Sequence, residues 1–130
     1  VTGRGTSHSA RAVILATGSV PLVLPIPGLA DCGYVTAQDL LLGKTAAGRR
    51  ALVVGGGMVG CEAAEYLAER GHQVAIVEMK DVIAADVTPE NRRYMFRNFE
   101  ENHVLLQSGA KAPGNAVPAT GDALEAALAI

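Results

Sequence analysis

The stretch that decides the fold, residues 51–78, reads ALVVGGGMVGCEAAEYLAERGHQVAIVE. A short apolar run leads directly into the spacing Gly55-x-Gly57-x-x-Gly60. A pattern with helical spacing comes next, and a second apolar run then closes on Glu78. A strand, a tight glycine turn, a helix and a second strand in this order predict a βαβ unit, and therefore an α/β fold with a parallel sheet.

Each glycine of this motif has a distinct mechanical task. Gly55 allows a sharp exit from the strand, Gly57 lets backbone N–H groups approach a pyrophosphate, and Gly60 lets the helix lie close against the strand. The phosphate charge would lie at the helix N-terminus, where unpaired N–H groups and the helix dipole favour an anion. Glu78 comes 18 residues beyond Gly60, where an acid accepts hydrogen bonds from ribose hydroxyls. The predicted cofactor-binding residues are Gly55, Gly56, Gly57, Met58, Val59, Gly60, Glu78 and Met79.

Two other interpretations of the motif stay open. The glycine turn can be purely structural, with Glu78 a solvated charge, and a methyltransferase nucleotide site also combines a glycine turn with an acid at a strand end. The motif here follows a predicted strand and opens a predicted helix, which favours a nucleotide site. The helix is predicted over about residues 58–70, with Gly71 as its stop and a mostly small buried face of Gly60, Ala63, Ala64 and Leu67. Gly60 and the small residues after it favour a dinucleotide.

The composition of the 130 residues is that of one soluble, globular domain or a piece of one. A net charge of −2 without a Lys/Arg cluster gives no support for nucleic-acid binding. No apolar run approaches the roughly 20 residues that span a bilayer, and the polar start is no signal peptide. Cys32 and Cys61 have no C-x-x-C spacing, and neither a metal site nor a redox pair is predicted. Nothing in the sequence requires an oxidising compartment, so a cytoplasmic location is expected.

The remaining chain predicts further elements around this unit. Residues 12–16 form an apolar run typical of a buried strand, and residues 19–28 contain enough proline to form an extended connector. Thr36 is a candidate N-cap of a short helix. Another helix is predicted to start with Thr88 as N-cap and Pro89 at its first position, and its apolar stripe of Met95, Phe96 and Phe99 is expected to be core. Residues 103–107 would form a third strand.

The fold predicted for the chain is α/β, a Rossmann-like parallel sheet with flanking helices, and it is incomplete. A full dinucleotide domain has further strands after the third. This chain instead passes through a Gly- and Pro-containing stretch into an Ala-rich tail, which predicts a single helix over residues 117–130. Either the domain is a fragment, or residues are missing between about Gln107 and Gly114.

Several segments together resemble the NADH:flavin oxidoreductases of the old yellow enzyme-like 2-enoate and 2,4-dienoyl-CoA reductase group, within the two-dinucleotide-binding flavoprotein superfamily. The resemblance covers residues 11–107. In that group an N-terminal barrel carries FMN and an iron–sulfur cluster, and a flavin-type domain contains an inserted NAD(P)H domain. The segments that carry the resemblance are Ala16-Thr17-Gly18, Pro25-Ile26-Pro27-Gly28, Thr36-Ala37-Gln38-Asp39, GGGMVGCE (55–62) and AIVEMKDVIAADVTPENRR (75–93).

The resemblance implies three parts. Residues 1–48 would be the end of the flavin-type domain and a Pro-rich connector, residues 49–107 the NAD(H)-binding βαβ unit, and residues 108–130 a segment similar to the closing helix of the flavin domain. Ala16, Thr17 and Gly18 would form the turn where the flavin-type domain passes the chain to the NAD domain, and they join the predicted cofactor-binding residues.

The resemblance also implies the cofactors and partners. Glu78 would bind the ribose, and because an acid repels a 2′-phosphate, NAD(H) is favoured over NADP(H). FAD and FMN are expected in the parent enzyme. Here the family's flavin-binding Gly-Asp pair falls on Ser108-Gly109, which lacks the acid. The expected partners are a nicotinamide dinucleotide and the missing flavin and barrel domains, and an open sheet edge favours self-association.

The predicted function is to hold the nicotinamide for hydride transfer to a flavin. This role is one of positioning, because the cofactors carry the reaction; no catalytic acid, base or nucleophile is predicted, and the chain alone is not expected to be active. Two alternatives remain: a non-enzymatic nucleotide sensor, which the glycine motif fits equally well, and a structural fragment without tight binding.

Overall fold

The computed structural model describes Gly5 and residues 10–110. The predicted C-terminal helix, residues 117–130, lies outside the described residues. Residues 10–26 form no helix or strand, and the chain continues through these elements: a 3-10 helix Ala30–Cys32, α1 Ala37–Leu41, β1 Arg50–Val54, α2 Met58–Ala68, β2 Gln73–Val77, α3 Pro89–Glu101 and β3 Leu105–Gln107.

The three strands form one parallel sheet in the order β1-β2-β3. Ala51 lies opposite Val74 in the β1–β2 pair, and Ala75 lies opposite Leu105 in the β2–β3 pair. Each parallel pair is joined by a crossover that contains a helix, as parallel pairing requires. The prediction of an α/β fold with a parallel sheet and flanking helices is therefore confirmed.

Helix α2 packs on the sheet through small side chains. Ala63, Ala64 and Ala68 are buried together with Leu67. Small side chains let the helix backbone approach the strands closely, and the predicted small face of this helix is confirmed. The helix is two residues shorter than the predicted 58–70, and Gly71 follows it with a φ of 81°, a left-handed stop that favours glycine.

The core lies between the sheet and the helices. Phe99, Ile76 and Cys61 are the largest side chains with almost no exposed surface. Met95 is buried beside Phe99 on α3, and Phe96 packs against the same cluster. The predicted Met and Phe stripe of α3 is therefore core.

The helix starts follow the predicted capping signals. Thr36 Oγ1 accepts a hydrogen bond from the Asp39 N–H at 3.1 Å, which caps α1. Thr88 is the N-cap position of α3 and Pro89 its first residue, as predicted, but the side chain of Thr88 makes no capping hydrogen bond. No helix among residues 10–110 is both long and apolar enough to cross a membrane.

The predicted buried strand over residues 12–16 is wrong. This segment has no regular secondary structure, and Ile14 is 90% exposed. An apolar run forms a strand only where a neighbour supplies a hydrogen-bond ladder, and the described sheet contains β1, β2 and β3 alone. The third strand also begins later than predicted, at Leu105, because His103 has a left-handed φ of 54°.

Candidate nucleotide-binding site

The glycine turn lies at the carboxyl ends of β1 and β2, where open parallel sheets bind their ligands. Gly55 has a φ of 105°, which an L-residue rarely adopts, and its N–H donates to the carbonyl oxygen of Val77 at 2.8 Å. The chain therefore leaves β1 while it is still bonded to β2. This is the sharp exit that the motif predicts.

Close approach explains the last glycine of the motif. A Cβ on Gly60 would collide with the carbonyl oxygen of Gly55 and would lie 3.4 Å from Cγ1 of Val53. The helix thus rests directly on the turn and on β1. The predicted task of Gly60 follows from this contact.

Gly56 is equally constrained, although its place in the motif is a variable one. A Cβ there would lie 3.1 Å from Cβ of Glu78 and 3.2 Å from Cγ1 of Ile83. The spacing pattern alone does not reveal this requirement, because it arises from the loop after β2. The acid at the strand end and the glycine turn are therefore in direct contact.

The N-terminus of α2 presents backbone donors at this turn. Gly57 is the N-cap and provides no side-chain cap, and the first turn of the helix contains no acid. Among the described residues, no acceptor is bonded to the N–H groups of Val59 or Gly60. Together with the helix dipole, these two N–H groups form a seat for an anion.

Glu78 is held in a defined orientation by the backbone. Its Oε2 accepts from the Gly56 N–H at 2.8 Å and its Oε1 from the Lys80 N–H at 2.9 Å. The hydrogen bond from the Lys80 N–H lowers the pKa of this carboxyl, and the bond from Gly56 adds to that effect, while partial burial opposes it. The carboxylate is therefore ionised at neutral pH, and each oxygen retains acceptor capacity.

Apolar side chains with exposed surface flank the turn. Met58, Val59 and Met79 are 46%, 56% and 61% exposed. They are available to cover the flat faces of a bound nucleotide. All three belong to the predicted cofactor-binding residues.

Ala16, Thr17 and Gly18 are exposed and lie in a segment without regular secondary structure. No hydrogen bond or core contact of the described residues links them to the glycine turn. The structure does not bring them together with the other predicted site residues. Their role in a nucleotide site stays a prediction.

The thiol of Cys61 is a packing group. It is fully buried in the first turn of α2, and Sγ donates to the carbonyl oxygen of Gly56 at 3.4 Å. Burial, with the negative charge of Asp86 as the next contribution, raises its pKa to about 11. This overrides the lowering that a helix N-terminus can cause. No cluster of three metal-ligating side chains occurs among the described residues.

Sequence reasoning missed Asp86. Both of its carboxylate oxygens accept from the Met58 N–H, at 3.0 and 3.1 Å. Asp86 lies in the loop between β2 and α3 and belongs to no recognised motif. The available signal is the apolar pair Ile83-Ala84, whose burial anchors the loop over the glycine turn.

Comparison with known proteins identifies the family of the chain. The family model described as pyridine nucleotide-disulphide oxidoreductase matches residues 1–125. An NADH oxidase of Thermoanaerobacter brockii is 42% identical over 101 residues, covering 75% of this chain and 16% of the relative. A bilirubin reductase of Mediterraneibacter gnavus is 38% identical, covering 76% of this chain and 15% of the relative.

Two solved structures of oxidoreductases are also similar to this chain. A 2-naphthoyl-CoA reductase in complex with 2-naphthoyl-CoA superposes with a TM-score of 0.70 at 27% identity, covering 74% of this chain and 14% of that chain. The water-forming NADH oxidase of Lactobacillus brevis bound to NADH gives a TM-score of 0.50 at 27% identity, covering 72% and 22%.

The chain thus spans about a sixth of the length of the first two curated relatives, 16% and 15%. The match to the family model nevertheless extends over almost all of its residues. The chain belongs to the pyridine nucleotide-disulphide oxidoreductase family, a family of FAD- and NAD-dependent enzymes.

Proposed function

We propose that the chain is the NAD(H)-binding part of a flavin-dependent oxidoreductase and that it holds the nicotinamide dinucleotide for hydride transfer to a flavin. The observation that carries this proposal is the contact between the glycine turn and Glu78. The Gly56 N–H orients a carboxylate of lowered pKa next to the open N–H groups of α2. An anion seat and a fixed acceptor for a diol thus lie side by side.

The residues present fit a dinucleotide. Gly57 has no side chain to stand between a ligand and the helix N-terminus, so a pyrophosphate can approach the N–H groups of Val59 and Gly60. Gly60 serves a different purpose, because it lets α2 pack against the carbonyl oxygen of Gly55. Glu78 would accept hydrogen bonds from the adenosine ribose. When bound, the nicotinamide supplies a hydride to the flavin. The task of this chain is to bind and orient it.

The charge at the ribose position favours NAD(H) over NADP(H). A 2′-phosphate placed at Glu78 would face an ionised carboxylate, and the pKa of that carboxyl is lowered, so it does not neutralise near pH 7. Lys80 lies two residues further along and its positive charge contributes to the same lowering. The positive charge of Lys80 partly offsets the repulsion between Glu78 and a 2′-phosphate. The carboxylate of Glu78, however, is held in place by the N–H groups of Gly56 and Lys80, so it stays at the ribose position.

The wider protein is also part of the proposal. Residues 49–107 would form the nucleotide-binding unit, residues 1–48 the end of a flavin-type domain with its connector, and residues 108–130 a segment similar to the closing helix of the flavin domain. The parent would belong to the old yellow enzyme-like group, in line with relatives several times longer than this chain that are NADH oxidases and reductases. Cys32 and Cys61 are both unpaired, which is typical of a cytoplasmic protein.

Calorimetric titration of the chain with NADH and NADPH tests the proposal. We expect NADH to bind more tightly than NADPH. Glu78→Gln should weaken NADH roughly tenfold, because losing a hydrogen bond to a charged acceptor costs about 1.5 kcal/mol or more. It should weaken NADPH less, since the repulsion is removed as well.

Glu101→Gln provides the matched control, since Glu101 is an exposed glutamate at the far end of α3. It should leave both affinities unchanged. A wild-type preference for NADPH would contradict the role assigned to Glu78. Absence of binding by either dinucleotide would refute the proposal as a whole.

A further inference from the structure

The carboxylate of Asp86 lies where part of the pyrophosphate is expected. It bonds through both oxygens to the N–H of Met58, the first residue of α2. This is the first of the backbone donors that the helix N-terminus offers to an anion. The seat is therefore partly filled by a negative group of the chain itself.

The loop that carries Asp86 is anchored independently of this contact. The Ala84 N–H donates to the carbonyl oxygen of Gly56 at 2.6 Å, and Ile83 and Ala84 are buried against the turn. Asp86 itself is exposed, and its two hydrogen bonds in the described structure both go to Met58. Its side chain can turn into water while the loop keeps its place.

A phosphate and a carboxylate cannot both use the Met58 N–H. Two negative groups within about 4 Å repel each other by about 1 kcal/mol even at the dielectric constant of water, and the N–H offers a single donor. The N–H groups of Val59 and Gly60 stay open in the same seat. An arriving pyrophosphate can therefore bind first to the N–H groups of Val59 and Gly60 and then displace Asp86 from the N–H of Met58.

From this arrangement we propose that Asp86 is an internal anion that caps α2 in the ligand-free chain and must release the Met58 N–H when a nucleotide pyrophosphate binds. Asp86 therefore lowers the affinity of the site for nucleotides and favours their release. This inference rests on the proposed function of the glycine turn. It assigns an affinity-setting role to a residue outside the G-x-G-x-x-G motif.

The inference is tested by titrating wild type, Asp86→Asn and Asp86→Ala with ADP and with adenosine. Asp86→Ala removes the competing charge, and we expect ADP to bind about 3- to 10-fold more tightly, the range that loss of a capping carboxylate allows. Asp86→Asn should lie between, because an amide oxygen still accepts from the N–H without charge. Adenosine has no phosphate, so its affinity should not change.

Thermal unfolding without ligand is measured on the same variants. Loss of the cap should lower the Tm of Asp86→Ala, so affinity for ADP rises while stability falls. Asp81→Asn is the matched control, since it removes one charge from the same loop but Asp81 makes no hydrogen bond to the glycine turn. It should change neither quantity. If Asp86→Ala does not fold, the same comparison is made with Asp86→Asn.

The possible outcomes distinguish the role of Asp86 from the proposed function of the glycine turn. Unchanged ADP affinity with a lowered Tm would make Asp86 a structural cap and overturn the inference while leaving the proposed function intact. Weaker ADP binding would overturn it as well, because Asp86 would then assist the ligand. Absence of ADP and NADH binding in wild type and variants would overturn the inference together with the proposed function. Binding of ADP by the Asp86 variants but not by wild type would support the inference most strongly, because Asp86 would then block the site completely.

Discussion

The close packing of α2 on the glycine turn predicts that Gly60→Ala destabilises the fold. The added Cβ would meet the backbone carbonyl oxygen of Gly55. A backbone atom cannot move aside by changing a side-chain rotamer. Either the helix or the turn has to shift. Overpacking typically costs about 1–3 kcal/mol, and a backbone obstacle places this case near 2–3 kcal/mol.

A second effect works in the opposite direction. Alanine is better than glycine in a helix interior by about 1 kcal/mol at most. The expected net loss in the free energy of unfolding is therefore about 1–2 kcal/mol. For a domain of roughly 100 residues this lowers the Tm by roughly 5–15 °C. Urea unfolding followed by far-ultraviolet circular dichroism measures the loss directly.

Two other glycines serve as controls for this measurement. At Gly48 a Cβ would lie 3.7 Å from the Arg50 carbonyl oxygen, an ordinary contact, so Gly48→Ala should change stability by about 0.5 kcal/mol or less. At Gly57 the neighbour is Oδ2 of Asp86 at 3.2 Å, and a side chain can yield. Gly57→Ala should therefore cost less than Gly60→Ala. Equal midpoints for Gly60→Ala and Gly48→Ala would refute the reasoning.

Two further predictions concern ionisable groups. Because the pKa of Glu78 is lower in the folded chain than its ordinary value of 4.5, its contribution to stability is present above that pH and is lost as the pH falls through the folded pKa. Urea midpoints measured between pH 7 and 3 should therefore fall less steeply for Glu78→Gln than for wild type, and parallel curves would contradict this. The thiol of Cys61 has a pKa raised to about 11, so it should not react with a disulfide reagent at pH 8 until the chain unfolds. The exposed Cys32 should react at once. Rapid reaction of two thiols in the folded chain would contradict this prediction, because it would show that Cys61 is accessible.

Local patterns predicted the elements that lie around the site. Helix α2 follows the glycine motif, and its small buried face appears at the predicted positions. The N-cap Thr36 and the start of α3 at Pro89 also agree, because capping depends on a few neighbouring residues. Strand β2 ends next to Glu78, which places the acid beside the turn.

Predictions that needed a distant partner were less successful. The apolar run over residues 12–16 has the composition of a buried strand, yet no described strand pairs with it. Burial depends on what lies opposite, and sequence periodicity does not supply that information. For the same reason the place of Ala16, Thr17 and Gly18 in a nucleotide site stays a prediction.

The sequence by itself determined the βαβ order, the glycine turn and the acid at the end of β2, because each depends on residues close together in the chain. Only the tertiary structure decided what occupies the turn. The loop after β2 folds back so that Ile83 crowds Gly56 and Asp86 reaches the Met58 N–H. The sheet brings residues 28 positions apart into hydrogen-bond contact, and no local pattern encodes that distance. The affinity-setting role proposed for Asp86 therefore rests on a contact that exists only in the folded chain.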